Sequence, residues 1–123
     1  MTRDVSPSRR WRFYSTASGR RPAREFIDRL SDVDAAEVGA AMLDVRKNGL
    51  AAARHLRGEL YEVRAEGVGS SYRLLFAEEG ARGRILLALH AINKKTRKTP
   101  PQAIDLAERR LADWRRRARP RRV

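Results

Sequence analysis

The sequence predicts an α+β domain with the element order β-α-α-β-β-β-α, in which a small, mainly antiparallel sheet packs against an N-terminal helical hairpin and a C-terminal helix. Apolar residues recur at helical spacing between residues 22 and 47, the period changes to two between residues 60 and 92, and helical spacing returns after residue 100. Short, glycine-bearing connections separate the alternating segments, so these should be antiparallel neighbours. We expect the helices to pack on one face of the sheet.

The N-terminal half is predicted to form one strand and two consecutive helices. Trp11–Tyr14 is short, aromatic and partly alternating, which is typical of a strand. Pro22 suits the first turn of a helix, and Ser31-Asp32 ends that helix and offers a cap for a second. Asn48-Gly49 ends the second helix. The apolar residues at helical spacing are Phe26, Ile27 and Leu30 in the first helix and Val38, Met42 and Val45 in the second.

The C-terminal half is predicted to form three strands and a helix. After a loop through His55 and Gly58, the strands are Leu60–Ala65, Ser71–Ala77 and Arg84–Ile92. The last of them is apolar at both parities, as expected of a strand that is central or covered on both faces. The final helix opens at Pro100-Pro101, and its apolar stripe consists of Ile104, Ala107, Leu111 and Trp114.

The charge distribution indicates a polyanionic partner. The net charge is +13, of which Arg9, Arg10 and six arginines after residue 114 supply eight, leaving +5. We interpret residues 1–9 as a flexible lead, residues 10–114 as one domain and residues 115–123 as a disordered basic tail.

Several classes of site are not expected. The chain has no cysteine, which removes disulfides and thiolate metal sites. His55 and His90 lie far apart without nearby ligand spacing, so neither a metal nor another cofactor is predicted. No apolar run is long enough to cross a membrane, and the first ten residues do not resemble a signal peptide. A cytoplasmic protein is therefore expected.

Three of the four lysines lie together in the segment Lys94–Lys98, in a chain whose other basic residues are almost all arginine. Arginine and lysine both bind phosphate, but only lysine can also exchange a proton near neutral pH. This segment is therefore either part of a phosphate-binding site with a proton-transfer function or simply a basic turn before the last helix.

Alternation along the strands predicts one core face and one charged face. Glu62, Arg64 and Arg73 share the charged face, and the last strand leads into Lys94 and Lys95. Arginines at the centre of a sheet with lysines at its rim would suit a phosphate backbone. The alternative is that Glu62 and an arginine form exposed cross-strand ion pairs of little energetic value.

These segments carry a resemblance to a known family. Leu60–Arg64, Tyr72–Phe76 and Leu89–Pro100 resemble successive blocks of the phage-derived toxin branch of the RelE/HigB superfamily, and Ala107–Arg110 fits its last helix. The resemblance covers about residues 11–114, and its specific part is the lysine-rich block. It implies a toxin of a type II toxin–antitoxin module that cleaves mRNA, usually in the ribosomal A site, and is silenced by a cognate antitoxin.

The resemblance also implies roles for individual residues. Arg73 matches the sheet arginine that contacts the scissile phosphate in RelE-like toxins, and Arg64 falls at a basic strand position. Glu62 departs from the family, because RelE has a lysine there. Lys94 or Lys95 lies near the second essential arginine of RelE.

The same comparison leaves the proton transfer open. The tyrosine that precedes the last helix of RelE has no counterpart, and Ile104 falls near its place. Candidate RNA-binding residues besides Arg64 are Arg97, Lys98, Tyr72 and His90, although the parity of Tyr72 and His90 also suits core positions.

The predicted chemistry uses the 2′-OH of the RNA as nucleophile, so the protein needs no serine, cysteine or metal. Arg73 is predicted to stabilise the transition-state charge with help from Arg64, and Glu62, Lys94 or Lys95 to act as base. The predicted partners are mRNA on the ribosome and an antitoxin of helix-turn-helix type. The alternatives are a non-enzymatic RNA- or ribosome-binding module, and a degenerate toxin that acts mainly as antitoxin partner in operator autoregulation.

Overall fold

The predicted α+β class is confirmed by the computed structural model, which describes residues 9–118. The helices and strands follow in the order β1 (Arg10–Phe13), α1 (Pro22–Asp28), α2 (Asp32–Asn48), β2 (Arg54–Arg57), β3 (Leu60–Glu66), β4 (Ser71–Glu79), β5 (Ile85–Asn93) and α3 (Pro101–Ala118). The hydroxyl of Ser31 accepts the backbone N–H of Asp34 at 3.2 Å, which is the predicted cap of α2. Gly49, with φ of 70°, ends that helix.

One five-stranded sheet runs in the order β1-β5-β4-β3-β2, and its pairs are antiparallel except for β1 with β5. The strand β2 corrects the prediction of a loop through His55. Its four residues include only one aliphatic side chain, Leu56, so they carry too short an alternation to read as a strand. β2 pairs with Leu60, Tyr61 and Glu62 at the beginning of β3.

Helices cover both faces of the sheet, which corrects the expectation of a single covered face. Val45 of α2 packs with Phe76 and Leu86, whereas Leu111 of α3 packs with Leu75 and Leu87 on the opposite side. β4 and β5 are apolar at both parities, and a strand of that kind needs cover on both sides. The prediction that the last strand is covered on both faces is confirmed.

Ion pairs hold α3 against the sheet. Arg57 of β2 lies 2.6 Å from Asp105 and 2.5 Å from Glu108 of α3. Arg115 binds Glu59 at 2.6 Å and Glu79 at 2.8 Å. Residues 115–118, predicted to begin the disordered tail, instead continue α3. Arg9 of the predicted lead exchanges hydrogen bonds with Arg46. The rest of the lead and residues 119–123 of the tail lie outside the described residues.

Candidate functional site

The register of the β3–β4 hairpin determines which side chains form the site. Arg64 pairs with Arg73 and Glu62 with Leu75, and in both strands alternate residues point to the face on which α3 lies. Leu75 belongs to the core beneath α3. Toward the hairpin turn, this face carries Arg64 and Arg73 instead, and residues 94–100 fold back over it from the end of β5. We call the face formed by Arg54, Glu62, Arg64, Arg73 and residues 94–99 the cationic face.

The centre of the cationic face is a buried hydrogen-bond network. The side chain of Glu62 is fully buried and accepts hydrogen bonds from Arg64 Nε, at 2.8 Å, and from the hydroxyl of Thr99. That hydroxyl in turn accepts a hydrogen bond from Arg73 Nη1 at 3.2 Å. Thr99 therefore links the carboxylate to the second arginine. Sequence reasoning missed it, because nothing local marks this threonine among the polar residues before α3.

Arg73 is buried, contrary to the expectation of an exposed arginine at the centre of the face. It is only 2% exposed, because Thr99 and its neighbours cover it. Burial, and then the nearby guanidinium of Arg64, lowers the pKa of Arg73. Its Nε has no hydrogen-bond partner among the described residues. An arginine remains charged even so, and Arg73 therefore places a positive charge behind the surface.

Arg64 is the arginine of this pair that solvent reaches. Its side chain is 33% exposed, and its Nη2 donates to the carbonyl oxygen of Arg97 at 2.6 Å. Hydrogen bonds to Glu62 and to the Arg97 carbonyl thus fix the position and the orientation of the Arg64 guanidinium. The exposed cations that line hollows together with Arg64 are Arg54, Lys95, Arg97 and Lys98. Arg54 was not predicted, because β2 was not.

The contact between Arg64 and Arg97 divides the cationic face into two hollows. The first, of about 420 Å³, is polar and is lined by Arg64, Glu66, Gly67, Gly69, Ser70, Ser71, Arg73, Lys95, Thr96 and Arg97. The second, of about 190 Å³, is lined by Arg54, His55, Leu56, Glu62, Arg64, Arg97, Lys98, Thr99 and Ile104. An anion that bridges the hollows would meet Arg64 between them.

A family model for the Gp49-like phage-derived proteins, DUF891, matches residues 25–112. The chain belongs to this family. Gp49-like proteins are a RelE/HigB-type toxin family, associated with toxin–antitoxin systems and hence with an antitoxin partner. The match includes β2 to β5, the segment Lys94–Thr99 and most of α3. No curated protein matches the chain.

In this Gp49-like protein, Tyr72 does not lie on the cationic face. It is 6% exposed on the opposite face, where its hydroxyl donates to Asp34 of α2 at 2.5 Å. This hydrogen bond raises the pKa of Tyr72. Asp34 also accepts the backbone N–H of Val68 at 2.9 Å and so holds the β3–β4 turn. This buried position does not fit the predicted contact between Tyr72 and RNA, and it agrees with the core position that the parity of Tyr72 indicated.

His90 is also removed from the open part of the face. It is half-buried beneath α3, with its Nδ1 3.3 Å from Arg110 Nη1. Burial, and then the charge of Arg110, lowers the pKa of His90 to about 4, so the ring is neutral at pH 7. The expectation that His90 contacts RNA does not fit this position. A bulge places it there, because Leu75 pairs with His90 while Phe76 pairs with Ala88.

Within residues 9–118, no three His, Asp or Glu side chains lie close enough together to hold a metal ion. None of the helices in the described part of the chain is long and apolar enough to span a membrane.

Proposed function

We propose that this Gp49-like protein is the toxin of a type II toxin–antitoxin module and a metal-independent endoribonuclease that cleaves mRNA on the ribosome. The observation that carries the proposal is the cationic face itself: a fixed, accessible guanidinium at Arg64, surrounded by cations, in a member of a toxin family. Phosphate contacts of this kind position an RNA strand.

The reaction consists of attack by a 2′-OH on the neighbouring phosphorus, which gives a 2′,3′-cyclic phosphate and releases a 5′-OH. The 2′ oxygen loses a proton, and the departing 5′ oxygen gains one. Arg64 is the group positioned to stabilise the charge that develops on the phosphate oxygens. Lys94 and Lys95 are exposed, and Lys95 lines the larger hollow with Arg64; these two lysines are our candidates for proton transfer.

The structure changes the proposed role of Glu62. A carboxylate that is fully buried and already accepts from Arg64 and Thr99 is poorly placed to receive a proton from RNA. We assign Glu62 instead as a positioning residue that holds the Arg64 guanidinium. Arg73 keeps a part in the proposal as a buried charge behind Arg64.

The test is cleavage of a defined mRNA by purified protein, with and without ribosomes. Arg64→Ala should lower cleavage by about 100-fold or more, which is typical for loss of one contact to a developing negative charge. Arg29→Ala is the matched control, because it also removes one positive charge and Arg29 is exposed on the side of the helical hairpin. Equal activity of the two variants would refute the assignment of Arg64.

One observation favours a second candidate, a module that binds RNA or the ribosome without cleaving it. Burial of Glu62 and Arg73 leaves fewer groups on the surface that can act on a phosphate. In that case the purified protein would bind ribosomes in an Arg64-dependent manner and release no RNA fragments. A degenerate toxin would do neither, and would affect only operator binding by its antitoxin.

A further inference from the structure

The smaller of the two hollows contains apolar surface in the middle of the cationic face. Leu56 of β2 and Ile104 of α3 are both half-buried at the edge of the core, and both line this hollow. Cations surround them, with Arg54, Arg64 and Lys98 among the lining residues. A surface that only bound phosphates would have no use for aliphatic side chains at this place.

The larger hollow is different in character. Its lining has no apolar side chain and consists of glycines, hydroxyl-bearing residues, four cations and one carboxylate, that of Glu66, which accepts a hydrogen bond from Ser71. Small residues and hydroxyls suit a phosphate or a ribose, which offer oxygens and little apolar surface. The two sides of Arg64 therefore differ in the chemistry that they accept.

We infer that the hollow between Leu56 and Ile104 holds one nucleobase of the bound RNA, next to the phosphate that contacts Arg64. This inference rests on the proposed function and adds which part of the substrate each hollow receives. A nucleobase has apolar faces and polar edges. Leu56 and Ile104 contact its faces, and the cations at the rim contact its edges and its phosphate.

The size of the hollow agrees with a single base. Its volume of about 190 Å³ is less than half the 420 Å³ of the larger hollow. We place the neighbouring nucleotide across Arg64, in the larger hollow. Leu56 and Ile104 thereby become determinants of which base the protein accepts beside the contacted phosphate.

The experiment measures binding rather than cleavage. Short RNA oligonucleotides with 2′-O-methyl groups throughout cannot react through the 2′ oxygen, and a matched set has an abasic residue at one position in turn. Affinities are measured by fluorescence anisotropy at several low salt concentrations, where phosphate contacts hold the RNA. Wild-type protein should lose about fivefold or more in affinity when the base at one particular position is removed.

Ile104→Ala should reproduce that loss for the intact oligonucleotide and add nothing for the one that lacks this base. Its salt dependence should stay as in wild type, because no phosphate contact is lost. Lys98→Ala should do the reverse: it weakens both oligonucleotides and reduces the salt slope by about one. Leu43→Ala, a truncation at an exposed apolar residue of α2, is the control and should change neither. If Ile104→Ala does not fold, as judged by circular dichroism, Leu56→Ala takes its place.

Equal losses for intact and abasic RNA in the Ile104 and Leu56 variants would overturn the nucleobase site, as would a wild-type protein indifferent to every base removal. Base-dependent binding by a protein that releases no fragments in the separate mRNA cleavage test, with or without ribosomes, would leave this site standing and refute the proposed reaction. Failure of the wild-type protein to bind any of the oligonucleotides at low salt would refute the site and the RNA contacts together.

Discussion

Thr99 offers the most direct test of the buried network, because valine has nearly the same shape and lacks the hydroxyl. Thr99 is 9% exposed, and its hydroxyl donates to Glu62 and accepts from Arg73. Each hydrogen bond to a charged group contributes about 1.5–3 kcal/mol. Two bonds at the low end give about 3 kcal/mol, and the additional buried methyl group offsets about 0.8 kcal/mol. We expect Thr99→Val to lower the free energy of unfolding by about 2 kcal/mol.

Urea denaturation measures this change, and an unaltered m value would show that the native and unfolded states remain comparable. Thr99→Ser is the matched control, since it keeps the hydroxyl, and it should lose less than about 1 kcal/mol. Glu62→Gln and the double variant complete a double-mutant cycle. The loss of stability in the double variant should be smaller than the sum of the two single losses, because both residues belong to one network. A Thr99→Val protein within about 0.5 kcal/mol of both wild type and Thr99→Ser would show that the network does not stabilise the fold.

Four further predictions follow from the same structure. Arg73→Ala should abolish growth inhibition in a protein that circular dichroism shows to be folded, and full toxicity would remove Arg73 from the site. If Lys94 and Lys95 only bind phosphate, the Lys94→Arg/Lys95→Arg variant should keep most of the cleavage activity. We expect the variant to lose this activity, because an arginine does not exchange protons near neutral pH. Near wild-type cleavage would show that neither lysine transfers a proton. The lowered pKa of His90, about 4 against 6.5, means that the unfolded chain binds the proton more readily, so stability should fall as the pH drops from about 6.5 to about 4. That fall should be smaller in His90→Gln when unfolding is measured at both pH values, and an unchanged fall would contradict it. The antitoxin should keep the toxin out of the ribosome mainly by its bulk, while partly covering the cationic face. Hydrogen exchange in the complex should therefore show protection of the helices. Protection confined to residues 62–73 would show that the antitoxin does not dock on the helices.

The sequence predicted the parts of the site that depend on local periodicity. Period two along β3 and β4 correctly placed Glu62, Arg64 and Arg73 on one face, because each pair in a regular hairpin preserves the alternation. It failed where long-range packing decides. Burial of Glu62 and Arg73 depends on a segment that returns some 26 to 37 residues later to place Thr99 over them. A single bulge moved His90, since it inverts the parity of every residue beyond it.

Arg64 and Arg73 are the same residue type, paired directly across two strands, and yet they differ in what they can do. The difference lies in their cover: Thr99 and its neighbours bury Arg73, whereas the carbonyl of Arg97 touches only one edge of Arg64. Within residues 9–118, Glu62 and that carbonyl are the acceptors for the Arg64 guanidinium, and both hold it from behind or from the side. A guanidinium fixed in this manner loses little conformational freedom when a phosphate binds. A buried acid can therefore favour phosphate binding by a cationic surface. Glu62 neutralises one positive charge, but it also holds the Arg64 guanidinium in the position in which a phosphate can meet it.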